Sequence, residues 1–134
     1  KAPVDKAMYY DGQVHTSYGG MFDPVKQDIF KAYYAFYAFN KLYELSNEIE
    51  CSVSTEGIYT IAAKGANTAR ILISNPTDKE YELTIESYTD RKITSVRKHI
   101  VDRDRNFVET DENTLTPESV LLIEYEFERN EQND

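Results

Sequence analysis

From residue 47 onward apolar residues tend to recur at every second position, turn chemistry separates the runs, and one aromatic-rich helical stretch comes before them. These three observations predict a mainly β chain: an antiparallel β-sandwich preceded by one long aromatic-rich α-helix and an N-terminal arm. The implied organisation is an arm and helix over residues 1–46, a sandwich over 47–128 and a frayed polar tail over 129–134.

The arm, residues 1–22, carries little periodicity. Ala7, Met8, Tyr9 and Tyr10 form a short apolar run that meets the turn signal Asp11-Gly12, the pattern of a buried strand followed by a loop. Residues 23–46 read as a helix, with Asp23 as N-cap and Pro24 at the first helical position, where its missing N–H costs nothing. Ile29, Tyr33, Phe36 and Tyr43 follow one stripe, Phe30, Tyr34, Tyr37 and Leu45 a second beside it, and Phe39 and Leu42 widen the apolar surface. An ordinary surface helix keeps a continuous polar face. Here only scattered polar residues such as Lys31, Lys41 and Glu44 interrupt the aromatics, so the helix is expected to pack on two sides.

Beyond the helix, Tyr81, Leu83 and Ile85 alternate with Glu80, Glu82, Thr84 and Glu86, a strand with one wet face. Leu121, Ile123, Tyr125 and Phe127 alternate in the same way with Leu122, Glu124 and Glu126. Residues 51–55, 58–63, 69–74 and 93–101 are further strand candidates. Between them lie Glu56-Gly57, Lys64-Gly65-Ala66-Asn67, Asn75-Pro76-Thr77-Asp78 and Thr89-Asp90, all turn formers.

The chain has 134 residues, a net charge of -9 and a sequence pI of about 4.7. That field repels phosphate backbones and anionic lipid, so neither nucleic acid nor a membrane surface is expected as a partner. Cys51 is the only cysteine, which rules out an internal disulfide and a Cys/His zinc site; a half-buried structural thiol is expected. Asp102-Arg103-Asp104-Arg105-Asn106 places oxygen-bearing side chains at alternate positions, but Phe107 and Asn113 stand where a calcium loop needs Gly and Glu. A hairpin turn is the expectation there, and no metal or cofactor is expected anywhere. His99 on its strand reads as a surface residue.

Three stretches carry a resemblance: Met8-Tyr9-Tyr10-Asp11-Gly12-Gln13, Tyr18-Gly19-Gly20-Met21-Phe22-Asp23, and Lys31-Ala32-Tyr33-Tyr34-Ala35-Phe36-Tyr37-Ala38-Phe39-Asn40-Lys41-Leu42. Together they resemble the end of the catalytic barrel in bacterial (β/α)8 glycoside hydrolases similar to β-xylosidases. The resemblance makes the tyrosine-rich segment the last barrel strand, the Gly-Gly-Met-Phe-Asp segment its loop and the aromatic helix the last of the barrel. A β-sandwich follows in such enzymes, and its phrasing is matched by Ala69-Arg70-Ile71-Leu72-Ile73-Ser74-Asn75 and by Ser119-Val120-Leu121-Leu122-Ile123.

The resemblance implies that this is a piece of a hydrolase without the catalytic acids, which would lie upstream of Lys1; no catalytic residue is assigned, and the segment alone is expected to be inactive. It fits a bacterial cytoplasmic or secreted protein. Substrate groups of barrel enzymes cluster at the C-terminal ends of the strands. Tyr10, Asp11 and Gln13 would sit there in the parent enzyme, the ring stacking on a sugar and the polar groups bonding its hydroxyls. The pairs Glu48 and Glu50, Glu80 and Glu82, and Glu124 and Glu126 read as solubility and edge protection.

Two functions follow. One is a non-catalytic accessory domain supporting the catalytic barrel of the same polypeptide, on plant or bacterial poly- or oligosaccharide. The other is a free-standing carbohydrate-binding sandwich. Under the first, the helix cut away from its barrel is expected to self-associate through Phe30, Tyr34 and Tyr37, giving a homo-oligomer, or to be covered by the arm.

Overall fold

The computed structural model describes residues 20–45 and 47–129. Helix α1 (Lys31–Tyr43) precedes eight strands: β1 (Asn47–Ile49), β2 (Tyr59–Lys64), β3 (Thr68–Asn75), β4 (Tyr81–Glu82), β5 (Ile93–Val101), β6 (Asn106–Glu109), β7 (Thr114–Leu115) and β8 (Ser119–Phe127). Six strands form one antiparallel sheet in the order β1-β2-β3-β8-β5-β6, and β4 pairs with β7 in a small second sheet. The fold is mainly β with the helix ahead of the sheet, as the alternation predicts.

The middle of the large sheet explains why its strands do not alternate cleanly. Ile71, Leu72 and Ile73 on β3 lie opposite Ile123, Leu122 and Leu121 on β8. Three consecutive apolar residues on each strand mean that both sheet faces are covered, since a strand buried on two sides reads as a continuous apolar run. On one face Ile58, Ile73, Ile100, Leu115, Leu121 and Ile123 form a cluster closed by Tyr81 and Leu83. On the other, Ala63, Leu72 and Leu122 pack with Ala38 and Leu42 of α1, flanked by Leu45, Ile61, Phe107 and Val120. The small side chains of Ala38 and Ala63 let helix and sheet approach. The molecule is therefore three layers deep: helix, large sheet, small sheet.

Three expectations need correction, and two short strands are added. The helix starts at Lys31, not beside Asp23. Asp23 instead closes a tight turn in which its Oδ1 accepts the N–H groups of Val25 (2.7 Å) and Lys26 (2.9 Å). Gln27 then takes a φ of 58°, a left-handed conformation that no helix interior tolerates, and Phe22 bridges Ile29. Residues 51–55 form no strand; the edge strand is β1, a few residues earlier. Strand pairing after Tyr81 stops at Glu82, leaving Ile85 exposed. β6 and β7, four and two residues long, are too short to register as periodic runs in the sequence.

Turn chemistry is more specific than the sequence alone implied. Asn75 is fully buried at the end of β3. Its Oδ1 accepts from Thr77 N (3.0 Å) and Thr77 Oγ1 (2.7 Å), while its Nδ2 donates to Lys79 O (2.7 Å) and Thr116 O (2.8 Å). One amide thus folds the Pro76 turn and ties it to the loop after β7. A buried polar side chain is tolerated when every bond is made.

Candidate functional site on the outer face of the helix

Ala38 and Leu42 turn inward to the sheet, so the remaining aromatics of α1 fall on its flank and outer face. Phe39 is 49% exposed and Tyr43 83%, and Phe36 is also exposed. This is the largest departure from an ordinary amphipathic surface in the described residues, because the side of the helix away from the core is aromatic, not charged.

Three attachments hold the helix while that face stays open. At its N-terminal end, Lys31 Nζ donates to Asn106 Oδ1 (2.8 Å), which fixes the first turn to the start of β6. Along its flank runs a chain of rings. Phe22 meets Tyr33 at 5.6 Å, Tyr33 stacks on Tyr37 at 6.3 Å, Tyr37 meets Phe107 edge-on at 5.0 Å, and Phe107 stacks on His99 at 4.7 Å. Phe107 is the extra residue of a β-bulge between β5 and β6, with a φ of 57°. The bulge re-aims its side chain toward the helix, the usual purpose of such an insertion. His99 is consequently half-buried against Phe107, not a plain surface residue.

At the C-terminal end, Arg70 on β3 donates from Nη1 to the backbone oxygen of Lys41 and to Glu44 Oε2 (3.0 Å), and from Nε to Glu124. Helix C-termini leave carbonyls without partners, and a guanidinium satisfies one while complementing the helix dipole. Lys41 and Glu44 pair at 2.9 Å; the bond to Glu44 raises the Lys41 pKa, and that to Lys41 lowers the pKa of Glu44.

Of the expected self-association residues, Phe30 is the residue before the first helical turn and is half-buried, Tyr34 is half-buried, and Tyr37 is engaged by Phe107 and Tyr33. The more open apolar surface belongs to Phe39 and Tyr43, which share the helix but sit about a quarter-turn or more around from the inward line. Tyr10, Asp11 and Gln13, the expected substrate-contacting residues, lie outside the described residues.

The carboxylate pairs resolve differently. Glu48, Glu50, Glu80 and Glu82 are exposed. Glu124, expected on a wet face, is largely buried between Arg70 and Arg97. Glu126 accepts from Thr68 Oγ1 at 3.2 Å. It lines an open groove of ≈ 580 Å³ with Leu45, Asn67, Thr68, Thr94 and Phe127. Among the described residues, no acid pair is set across a cleft with both groups free for acid–base work.

Asp102 is the most perturbed acid, and its role is to build a turn. It is buried, its Oδ1 accepts the N–H groups of Asp104 (3.0 Å) and Arg105 (2.8 Å), and its Oδ2 accepts from Arg105 Nε (2.9 Å) and Thr116 Oγ1 (2.9 Å). Burial by itself would push this carboxyl up, but the guanidinium, the hydroxyl and the two N–H groups outweigh it and bring it down to about 2. With its oxygens engaged by donors, the alternating acidic segment forms the expected β5–β6 hairpin turn. No cluster of three or more metal-ligating His, Cys, Asp or Glu side chains exists among the described residues. Cys51 is half-buried with its Sγ 3.2 Å from Thr60 Oγ1.

No family model and no curated protein matches this sequence. Solved structures do match. A glycoside hydrolase family 30 subfamily 8 xylanase from Clostridium acetobutylicum superposes with a TM-score of 0.68 at 16% identity, over 80% of this chain and 30% of that one. A family 30 endoxylanase from Clostridium papyrosolvens C71 superposes with a TM-score of 0.65 at 16% identity, over 78% of this chain and 30% of that one. This chain thus has the fold of a region making up about a third of two xylanase chains, and at such identity the likeness is one of fold.

Proposed function

We propose that this chain is a non-catalytic accessory domain of a glycoside hydrolase, giving structural support to a catalytic barrel in the same polypeptide. The observation that carries this reading is the helix with two apolar sides: Ala38 and Leu42 packed on the sheet, Phe39 and Tyr43 turned away from it. A second, larger body on the outer face accounts for aromatics that a solvated helix would not keep. The likeness to xylanases over 30% of their length supports it, because a domain of a larger enzyme is what such partial coverage describes. Chemistry would then reside in the larger body, with residues of the Tyr10, Asp11 and Gln13 loop touching sugar there. In the isolated chain the same helix face would pair copies.

The test has two arms. The purified chain is assayed on aryl xylosides and on xylan, where no turnover is expected; activity that co-purifies with the chain through successive columns and vanishes on its specific removal would overturn the reading. In the full gene product, hydrogen exchange across residues 36–43 should slow relative to the isolated chain. Equal exchange in both would mean that no larger body covers the helix.

A second reading, a carbohydrate-binding module, draws on the groove lined by Asn67, Thr68, Thr94 and Glu126, whose amide, hydroxyls and carboxylate suit a polyol. Its only ring among the described residues, Phe127, is covered by the Arg91 guanidinium at 5.2 Å, so those residues offer no open stacking platform. Saturable binding of xylo-oligosaccharides by the isolated chain would favour this second reading.

A further inference from the structure

We draw no further inference here: the strongest candidate, the groove at the end of the large sheet lined by Asn67, Thr68, Thr94 and Glu126, belongs to the site already described and has these side chains bonded within the chain, Asn67 to Arg91, Thr68 to Glu126 and Thr94 to the Glu126 backbone, so that nothing in it points to a further ligand.

Discussion

The two covers of the large sheet are built on opposite principles. The helix side has a thin apolar contact, Ala38 and Leu42 on Ala63, Leu72 and Leu122, reinforced by long side chains that bridge helix and sheet: Arg70 from the sheet at one end, Lys31 from the helix at the other, Phe107 from the sheet between. The small-sheet side has a deep aliphatic contact through Leu115, Ile100, Leu121 and Ile123, and its polar groups are turn builders, Asn75 and Asp102. A helix needed as a platform for something else must be held in place without having its outer face enclosed, and clamps at its ends and flank achieve that. A cover with no second role can be stabilised by burial alone.

Truncations measure the difference most directly. Leu115→Ala, at a fully buried position under the small sheet, is expected to cost about 3 kcal/mol in urea unfolding, within the usual range for a core leucine. Leu42→Ala is expected to cost less, about 2 kcal/mol, because the cavity opens toward small alanine neighbours that can close in. An equal or reversed order would mean that the helix, not the small sheet, is the main apolar closure. Arg70→Met is the matching test of the clamp. It leaves Lys41 O without its donor, Glu44 with Lys41 alone and Glu124 with Arg97 alone, and is expected to cost roughly 2 kcal/mol while loosening exchange protection at the C-terminal end of α1. If the clamp matters only locally, exchange over residues 40–44 will rise with little change in the melting point.

Much of this contrast could be read from the residues and part of it could not. Strands β3, β5 and β8 and the turn signals between them are legible because runs rich in apolar and β-branched residues, bounded by Gly, Pro and Asn clusters, leave strong local signatures. The double apolar character of the helix is legible for the same reason. Its start was not, because Asp23-Pro24 is equally good chemistry for a tight turn, and only the left-handed Gln27 and the Phe22–Ile29 bridge decide between them. Glu124 and His99 were misplaced because their surroundings are set by residues far off in sequence, Arg70 and Phe107. Charge alternation along a strand cannot reveal that a guanidinium from the neighbouring strand has closed over it. The arm residues on which the sugar-contact expectation rests lie outside the described residues.

Acid should strike the small-sheet side hard. The Asp102 carboxyl is held at about 2 in the folded chain against an ordinary value of 3.8, so it binds a proton more weakly folded than unfolded. Its stabilisation is fully present above the ordinary value and is lost as pH falls toward and through about 2, a difference of roughly 2 kcal/mol. Melting temperatures recorded between neutral pH and that acid limit should therefore fall, and Asp102→Asn should remove most of the slope while lowering stability at neutral pH. A native and a variant chain with parallel pH profiles would show that other carboxylates govern the acid limb.

The finest comparison uses two residues with the same backbone strain on the two sides. Phe107 has a φ of 57° and Glu118 a φ of 50°, and a side chain costs roughly 1 kcal/mol in that left-handed region. Glu118 is exposed, beside the turn into β8, and among the described residues the turn draws only on its backbone, whose N–H bonds Thr77 O and which glycine preserves. Glu118→Gly should stabilise by about 0.5 kcal/mol, the strain relief less the added entropy of the unfolded chain. Phe107→Gly relieves the same strain but deletes the ring that joins His99 to Tyr37, and the lost packing outweighs the relief. Opposite signs at matched φ would establish that the strain at Phe107 is held in place by the aromatic contact with the helix. Stabilisation at both positions would instead mean that the bulge is a feature of the β5–β6 turn alone, and that the ring chain contributes little to holding α1.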